Sequence, residues 1–306
     1  MASKPSDLAA FLRDFALGGV TQAVERTLTA PLERVKLVLQ TQDANPRIRS
    51  GEVLRYKGIV DCCSRICREQ GPRRLWDGNF AGCLSVYPNL FFGILFQDTF
   101  KKILPKYSPQ TEFSRFFASN MASGVLAATC TMGIVYPLGY ARTRLALDVG
   151  PGERVFSGVG SCLRKTAAGP GGLPALYTGF GVSIVGIASF LALQLGTFDT
   201  IMGLNPWKED TGVLGAASTF AAANAATTWG AAATYPFDTV RCRLQLQAER
   251  PLLDHVYKGT ADCFKRILVE EGAAGLYKGF LANLGRSIGW ALAITFYDRA
   301  KAGLGR

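Results

Sequence analysis

The sequence predicts an all-α membrane protein: six transmembrane helices in three pseudo-symmetric repeats, each repeat carrying a short surface helix. Three observations predict it. First, the segments Asn79–Gln97, Phe116–Ala141, Gly179–Phe198 and Thr211–Phe237 contain no Asp, Glu, Lys or Arg. Each is close to or above the roughly 20 residues a helix needs to cross a bilayer. Phe280–Tyr297 holds one charge, Arg286, and Phe15–Leu32 holds only Glu25 and Arg26. Second, three of these runs end in a proline followed by charge: Pro31-Leu32-Glu33-Arg34-Val35-Lys36, Pro137-Leu138-Gly139-Tyr140-Ala141-Arg142 and Pro236-Phe237-Asp238-Thr239-Val240-Arg241. The prolines stand roughly 100 residues apart, the mark of an internal repeat. Third, Cys62, Cys162 and Cys263 follow Tyr56-Lys57-Gly58, Phe156-Ser157-Gly158 and Tyr257-Lys258-Gly259 at one constant offset. Buried helices of a soluble chain are the alternative, but so many long charge-free runs are unusual for one.

Repeat one spans 1–107. Its long helix is expected from Asp7 to Gln40, kinked at Pro31, where the missing N–H and the ring disturb the preceding turn. Asp43–Glu52 is polar and reads as loop. Ile59–Glu69 reads as a short amphipathic helix, apolar at Ile59, Cys62, Cys63 and Ile66, lying along the membrane surface. Gly71-Pro72 ends it, and Trp76-Asp77-Gly78 opens the second span. Repeat two spans 108–205, with a long helix at Glu112–Leu147 bent at Pro137, a surface helix at Val159–Ala167, and a span opened by Tyr177-Thr178-Gly179. Repeat three spans 206–306, with a long helix at Gly212–Leu246 bent at Pro236, a surface helix at Ala261–Glu270, and a span opened by Tyr277-Lys278-Gly279. Ala222, Ala226 and Gly230 recur every fourth position and allow close helix approach in lipid.

Composition narrows the function. The net charge is +11 in 306 residues. The bases are scattered between apolar runs, and no motif that reads DNA or RNA is present, so anionic lipid is the expected partner of that charge rather than nucleic acid. The N-terminus shows neither a secretory signal nor a long Arg-rich transit peptide. Eight cysteines and a single histidine, His255, give no metal-ligand spacing, so no metal and no organic cofactor are expected. A nucleophile beside a base is also missing, which favours a transporter over an enzyme.

Three copies of Pro-x-Asp/Glu-x-x-Lys/Arg, together with Glu69-Gln70-Gly71…Trp76-Asp77-Gly78 and Glu271-Gly272…Tyr277-Lys278-Gly279, resemble the mitochondrial carrier family across essentially the whole chain. The middle repeat is weaker, with Gly171-Gly172 before Tyr177-Thr178-Gly179. Ala30-Pro31-Leu32-Glu33-Arg34-Val35-Lys36-Leu37, Ala141-Arg142-Thr143-Arg144-Leu145-Ala146 and Tyr235-Pro236-Phe237-Asp238-Thr239-Val240-Arg241 resemble the branch of that family that exchanges ADP and ATP. The likeness breaks at Arg241-Cys242-Arg243-Leu244-Gln245-Leu246, where that branch has three arginines and three methionines.

The resemblance implies a multi-pass protein of the mitochondrial inner membrane, acting as a monomer, with cardiolipin as a structural lipid and surface helices on the matrix side. It places Arg26, Gly186, Ile187, Phe190, Asn283 and Arg286 around a nucleotide in a central cavity. Arginine suits phosphate because its planar fork binds two oxygens at once, and a charge inside a span is a functional candidate. Ser85, Phe190 and Leu191 depart from the family's arginine, tyrosine and arginine. A matrix gate is implied in which Glu33 meets Arg142 and Asp238 meets Lys36, while Arg241 lacks a partner because Gly139 replaces its acid. Gln40 and Gln245 would brace it. A cytoplasmic gate would pair Asp199 with Lys301 and Asp298 with Lys101, leaving Asp98 opposite Met202. The function these imply is ADP/ATP exchange by alternating access. A carrier of the same fold for another anion, and a membrane protein without exchange activity such as a proton leak or scaffold, are the alternatives.

Overall fold

A computed structural model describes residues 5–108, 111–150, 154–207, 212–248, 250 and 254–285. Helices dominate: α1 (Pro5–Thr41), α2 (Pro46–Arg49), α3 (Ile59–Gln70), α4 (Asn79–Leu84), α5 (Val86–Ile103), α6 (Phe113–Ala146), α7 (Val159–Ala168), α8 (Phe180–Leu204), α9 (Val213–Gln247), α10 (Thr260–Glu271) and α11 (Ala273–Leu276). A further helix begins at Phe280 and is described to Gly285. Three segments among the described residues have the length and apolarity to cross a membrane: Pro72–Ile103, Ser114–Ala146 and Leu173–Leu204. Pro31, Pro137 and Pro236 lie inside α1, α6 and α9 without ending them.

Two local expectations are corrected. Asp43–Glu52 is not plain loop. A 3-10 turn at Gln42–Ala44 leads into α2, where Pro46 occupies the first helical turn and the Asn45 side chain accepts the Arg47 N–H at 3.1 Å. The second span is divided at Ser85, three residues before Pro88, whose missing N–H removes a helical bond at that turn. The amphipathic helices turn their apolar faces onto the ends of the long helices. Cys62 and Ile66 of α3 are buried against Val35, Val38 and Leu39 of α1, while Val60 is turned outward. Cys162 and Cys263 sit in two equivalent cores, packed with Tyr140 of α6 and Val240 of α9 respectively. Each core lies where the end of a long helix meets its amphipathic helix.

The stripe of small residues on α9 is buried at Ala222, Ala226 and Gly230. A Cβ at Gly230 would stand 3.3 Å from the Phe190 ring on α8, so the small residue permits that approach.

Two sets of contacts tie the repeats in a circle. In the first, a buried arginine of one repeat donates to carbonyls at the C-terminal end of the next long helix. Arg34 donates to Ala146 O at 3.2 Å and Asp148 O at 2.7 Å; Arg144 donates to Leu246 O at 3.0 Å; Arg243 donates to Gln40 O at 3.2 Å. The last four carbonyls of a helix lack intrahelical partners, and a cation there also meets the negative end of the helix dipole. In the second set, the glycine that opens each even-numbered span has positive φ and backs onto the next repeat's long helix. A Cβ on Gly78 (φ +86°) would lie 2.6 Å from Arg142 O, and one on Gly279 (φ +82°) 2.8 Å from Lys36 O. Gly179 (φ +81°) meets Arg241 in the same way, at 3.2 Å from its Cγ.

Around Arg243 two acids, Glu271 and Asp43, serve three cations, the third being the exposed Arg55 on Asp43. Glu271 accepts from Arg243 and from Lys278, and Lys278 also reaches Asp43. Burial by itself would raise the Glu271 carboxyl, but the hydrogen bonds from Arg243 and Lys278 outweigh it and hold the group at about 2, below its ordinary 4.5. A depressed carboxyl stabilises the fold above its ordinary pKa and loses that contribution as pH falls toward the folded value. The melting temperature of the purified protein is therefore expected to drop between about pH 5 and about pH 3. Glu271→Gln should melt lower at neutral pH and show a flatter slope in that acid window.

Gly279→Ala combines left-handed strain with a clash on Lys36 O and should cost about 1–3 kcal/mol, read as a lower melting temperature. Gly259→Ala is the comparison: its φ of 172° is extended, nothing lies within 4 Å of its added Cβ, and its cost should stay below about 1 kcal/mol.

Candidate functional site

The three proline corners converge at one end of the bundle. Glu33 of α1 pairs with Arg142 of α6, and Lys36 Nζ of α1 lies 2.7 Å from Asp238 Oδ2 of α9. Gln40 Nε2 donates to Thr239 Oγ1 at 2.9 Å and to Asp238 Oδ2 at 3.4 Å. Gln245 Nε2 donates to the Tyr136 hydroxyl at 3.1 Å, and that hydroxyl donates to Thr178 O at 2.9 Å. Gln245 thus braces α9 against α6 through a tyrosine rather than through the charges.

Arg241 differs from its expectation as a base without a partner. It turns back along its own helix, with Nη2 3.3 Å from Asp238 Oδ1. Residues three apart on a helix are neighbours, so an acid at Asp238 is within reach when Gly139 offers none. One carboxylate consequently serves Lys36, Gln40 and Arg241.

Above these pairs lies a cavity of about 410 Å³, large enough for a small metabolite. Its floor holds Glu33, Lys36, Arg142, Asp238 and Arg241; one wall holds Gly186, Ile187 and Phe190, and Asn283 faces it from the last described helix. A Cβ on Gly186 would come within 3.2 Å of Phe237 Cβ, so this glycine sets the distance between α8 and α9. Lys36 Nζ also sits 5.1 Å from the centre of the Tyr235 ring, a cation–π contact that orients it. The arrangement offers cations at the bottom and an apolar shelf at the side, a match for a molecule with an anionic tail and a flat, apolar head.

Arg26 does not line this cavity. Its Nη1 donates to Gly82 O at 2.8 Å and Ser85 Oγ at 3.1 Å, so it joins α1 to α4. Arg286, Asp298 and Lys301 lie outside the described residues. Of the other ring, Lys101 and Asp199 line a second, wider cavity of about 780 Å³, bounded by Phe116, Met121, Leu191 and Leu195 among others. Ile187 belongs to both cavities. Asp98 stands beside Lys101 and Lys102 on a neighbouring depression. Among the described residues Asp98, Lys101 and Asp199 form no ion pair with one another, so the charged groups at this end stand apart while those at the other end are joined. Met202 accepts a weak contact from the Asn205 amide at 3.7 Å.

Sequence reasoning missed the buried arginines. Arg144 and Arg243 stand at the same register after Pro137 and Pro236, which is a readable signal, but Arg34 comes from one turn earlier and hides the pattern. It also missed Tyr136 and Tyr235, whose hydroxyls donate to Thr178 O and Lys278 O and whose rings stack on Tyr177 and Tyr277. The tyrosine before each of these two prolines carried that signal.

A family model described as "Mitochondrial carrier protein" matches residues 8–108, 113–206 and 212–306. The chain is 44% identical over 297 residues to the ADP,ATP carrier protein of Parachlorella kessleri, covering 97% of this chain and 86% of that one. It is 41% identical to ADP/ATP translocase 3 of Bos taurus and 40% to that of Homo sapiens, in both cases over 95% of this chain and 97% of the relative. Three tandem matches of one model, on a helical bundle whose corners close in a circle, have a single reading: the chain belongs to the mitochondrial carrier family.

Proposed function

We propose that this protein exchanges adenine nucleotides, ADP against ATP, across the mitochondrial inner membrane as a multi-pass monomer. The observation that carries this reading is the 410 Å³ cavity, where the cations Lys36, Arg142 and Arg241 face the same space as the Gly186-Ile187-Phe190 wall. The names of the relatives support it. The phosphates would descend toward the basic floor, and the base would lie on the wall. Asn283, and Arg286 one turn further along, would complete the site, with the Arg286 fork on phosphate oxygens. No bond is made or broken in this scheme, so no enzyme activity is assigned.

The joined corners would form the matrix gate in its closed state, and Asp98, Lys101, Asp199, Asp298 and Lys301 the cytoplasmic gate in its open state. Substrate shifts such an equilibrium only by binding the two states unequally. Its charges would loosen the floor pairs while the other ring forms. A carrier for a different anion is the second reading, favoured by one observation: Arg26 is spent on Ser85 and Gly82 and does not line the cavity.

Reconstituted in liposomes loaded with ATP, the protein is expected to take up labelled ADP saturably, with competition by ATP and not by citrate or malate. Arg286→Ala should lower that uptake at least about tenfold, the weight of one lost charge-assisted contact. Competition by a carboxylate in place of the nucleotide would transfer the assignment to the second reading.

Cardiolipin is proposed as a structural lipid at the three span openings, where Trp76, Tyr177 and Tyr277 are each about 40% exposed beside a glycine in the left-handed region. A helix start favours an anion through its open N–H groups. Added cardiolipin should raise the melting temperature in detergent more than phosphatidylcholine does; equal shifts would remove the lipid from these places.

A further inference from the structure

The floor of the cavity is unbalanced. Among the described residues lining it, three are cations (Lys36, Arg142, Arg241) and two are carboxylates (Glu33, Asp238). The imbalance has a location. Glu33 and Asp238 stand two residues after their prolines, and the residue at that register in repeat two is Gly139. Nothing lies within 4 Å of a Cβ built there, so the place of the third acid is empty space rather than filled by a neighbour. Arg241 has its nearest acid on its own helix, at 3.3 Å, and shares that acid with Lys36 at 2.7 Å and Gln40 at 3.4 Å. It is also the most open of the three floor cations: its side chain is 32% exposed, against 23% for Arg142 and 14% for Lys36.

We propose that Arg241, across the gap at Gly139, is an anion seat: the terminal phosphate of the substrate docks there and supplies, while bound, the negative charge that the third corner lacks. This rests on the nucleotide reading above and extends it, by naming the residue that receives the end of the phosphate chain. A guanidinium fork accepts two phosphate oxygens at once and keeps its charge at any physiological pH. An intramembrane arginine sharing a single carboxylate with two other donors has the capacity for a second anionic partner. The seat discriminates by charge and by length, because a chain of two or three phosphates reaches the floor from the Ile187 wall better than one phosphate does. It also couples occupancy to the gate. The bound anion draws Arg241 away from Asp238 and leaves Lys36 as the principal remaining hold on that carboxylate.

The test uses the full chain and two readouts, with Arg241→Gln, Arg241→Lys, Gly139→Asp and Gly139→Asn beside the parent. In liposomes, KM and kcat are measured for ADP and for AMP. In detergent, thermal stabilisation by inorganic pyrophosphate is measured. Arg241→Gln is expected to raise KM for ADP by about tenfold or more, with a smaller effect on AMP and on kcat, and Arg241→Lys to recover part of it. Gly139→Asp places a permanent carboxylate in the gap and should raise KM for ADP about tenfold over Gly139→Asn, which has the same backbone cost without the charge. Both Arg241→Gln and Gly139→Asp should weaken stabilisation by pyrophosphate. A purely structural role for Arg241 would change ADP and AMP alike and leave pyrophosphate untouched, and that result would overturn the proposal. So would equal KM and equal pyrophosphate response in Gly139→Asp and Gly139→Asn, a comparison that holds even if Arg241→Gln fails to fold. A parent that exchanges no nucleotide, yet loses its pyrophosphate response in Arg241→Gln and Gly139→Asp, would sink the nucleotide reading and keep the anion seat.

Discussion

The structure depends on arginines that have almost no water. Arg34, Arg144 and Arg243 are between 0 and 6% exposed, and each spends its guanidinium on carbonyl oxygens at the end of another repeat's helix. Burying a charge is costly unless every donor is used and a counter-charge stands near. Arg34 and Arg243 have acids beside them, whereas Arg144 leans on carbonyl and ring and, among the described residues, leaves its Nε without a hydrogen bond. Arg243 has Glu271 and Asp43; Arg34 has Asp77 at 3.3 Å and the Gln70 side chain at 2.8 Å; Arg144 lies over the Phe156 ring. Everything else at this end, the amphipathic helices, the left-handed glycines and the paired corners, is built on helix ends that those arginines hold together. A helix that ended in water would need none of this. These end against protein, so their orphan carbonyls must be satisfied from inside.

Repeat two is the plain one of the three. Where repeat one places Gln70 and repeat three places Glu271, repeat two has Gly171, and where the others place Glu33 and Asp238 it has Gly139. Both changes remove a polar side chain from the same seam, between α6 and α9. That seam keeps Arg144 on Leu246 O and is held otherwise by Gln245 on Tyr136 and by the close approach of Gly179 to Arg241. Neutral hydrogen bonds and close packing stand there in place of an acid–base pair between the corners, which makes this corner the one least sensitive to salt.

Much of the fold was legible because it is written in apolar length. The charge-free runs and the three prolines place the long helices, although α1, α6 and α9 run on past the returning charges Glu33, Arg142 and Asp238 to Thr41, Ala146 and Gln247. The constant offset of Cys62, Cys162 and Cys263 gives the amphipathic helices. The short α2 was not read, although Asn45-Pro46 is a helix start, because polar composition suggested loop and the burial of Ile48 is a tertiary fact. At the site, the joins of Glu33 to Arg142 and of Lys36 to Asp238 were legible through the family resemblance, which pairs each corner's acid with the next repeat's base. Arg241's turn onto Asp238 is carried by the three-residue spacing on one helix, a signal that the inter-repeat pattern of acid and base overlies. For Arg26, a position inside a span says that it must find polar partners but not which ones, and here it takes Gly82 O and Ser85 Oγ.

The direction of the inter-repeat contacts has a consequence for the ancestry and assembly of such a chain. Each repeat presents one surface to its successor and a different one to its predecessor: arginine onto helix end, glycine onto backbone, and acid onto base wherever both are present. Such head-to-tail joints are heterologous, the kind that polymerise without limit unless the rotation per step closes the figure. Here the third repeat returns to the first through Arg243 on Gln40 O, Gly279 on Lys36 O and Asp238 on Lys36. Closure at three consumes both surfaces of every unit. A fragment of one or two repeats would keep an unsatisfied donor face and an unsatisfied acceptor face, and would find its complement in another fragment. The tandem sequence is in this sense a trimer made covalent, and its linkers fix a stoichiometry that the joints alone already specify.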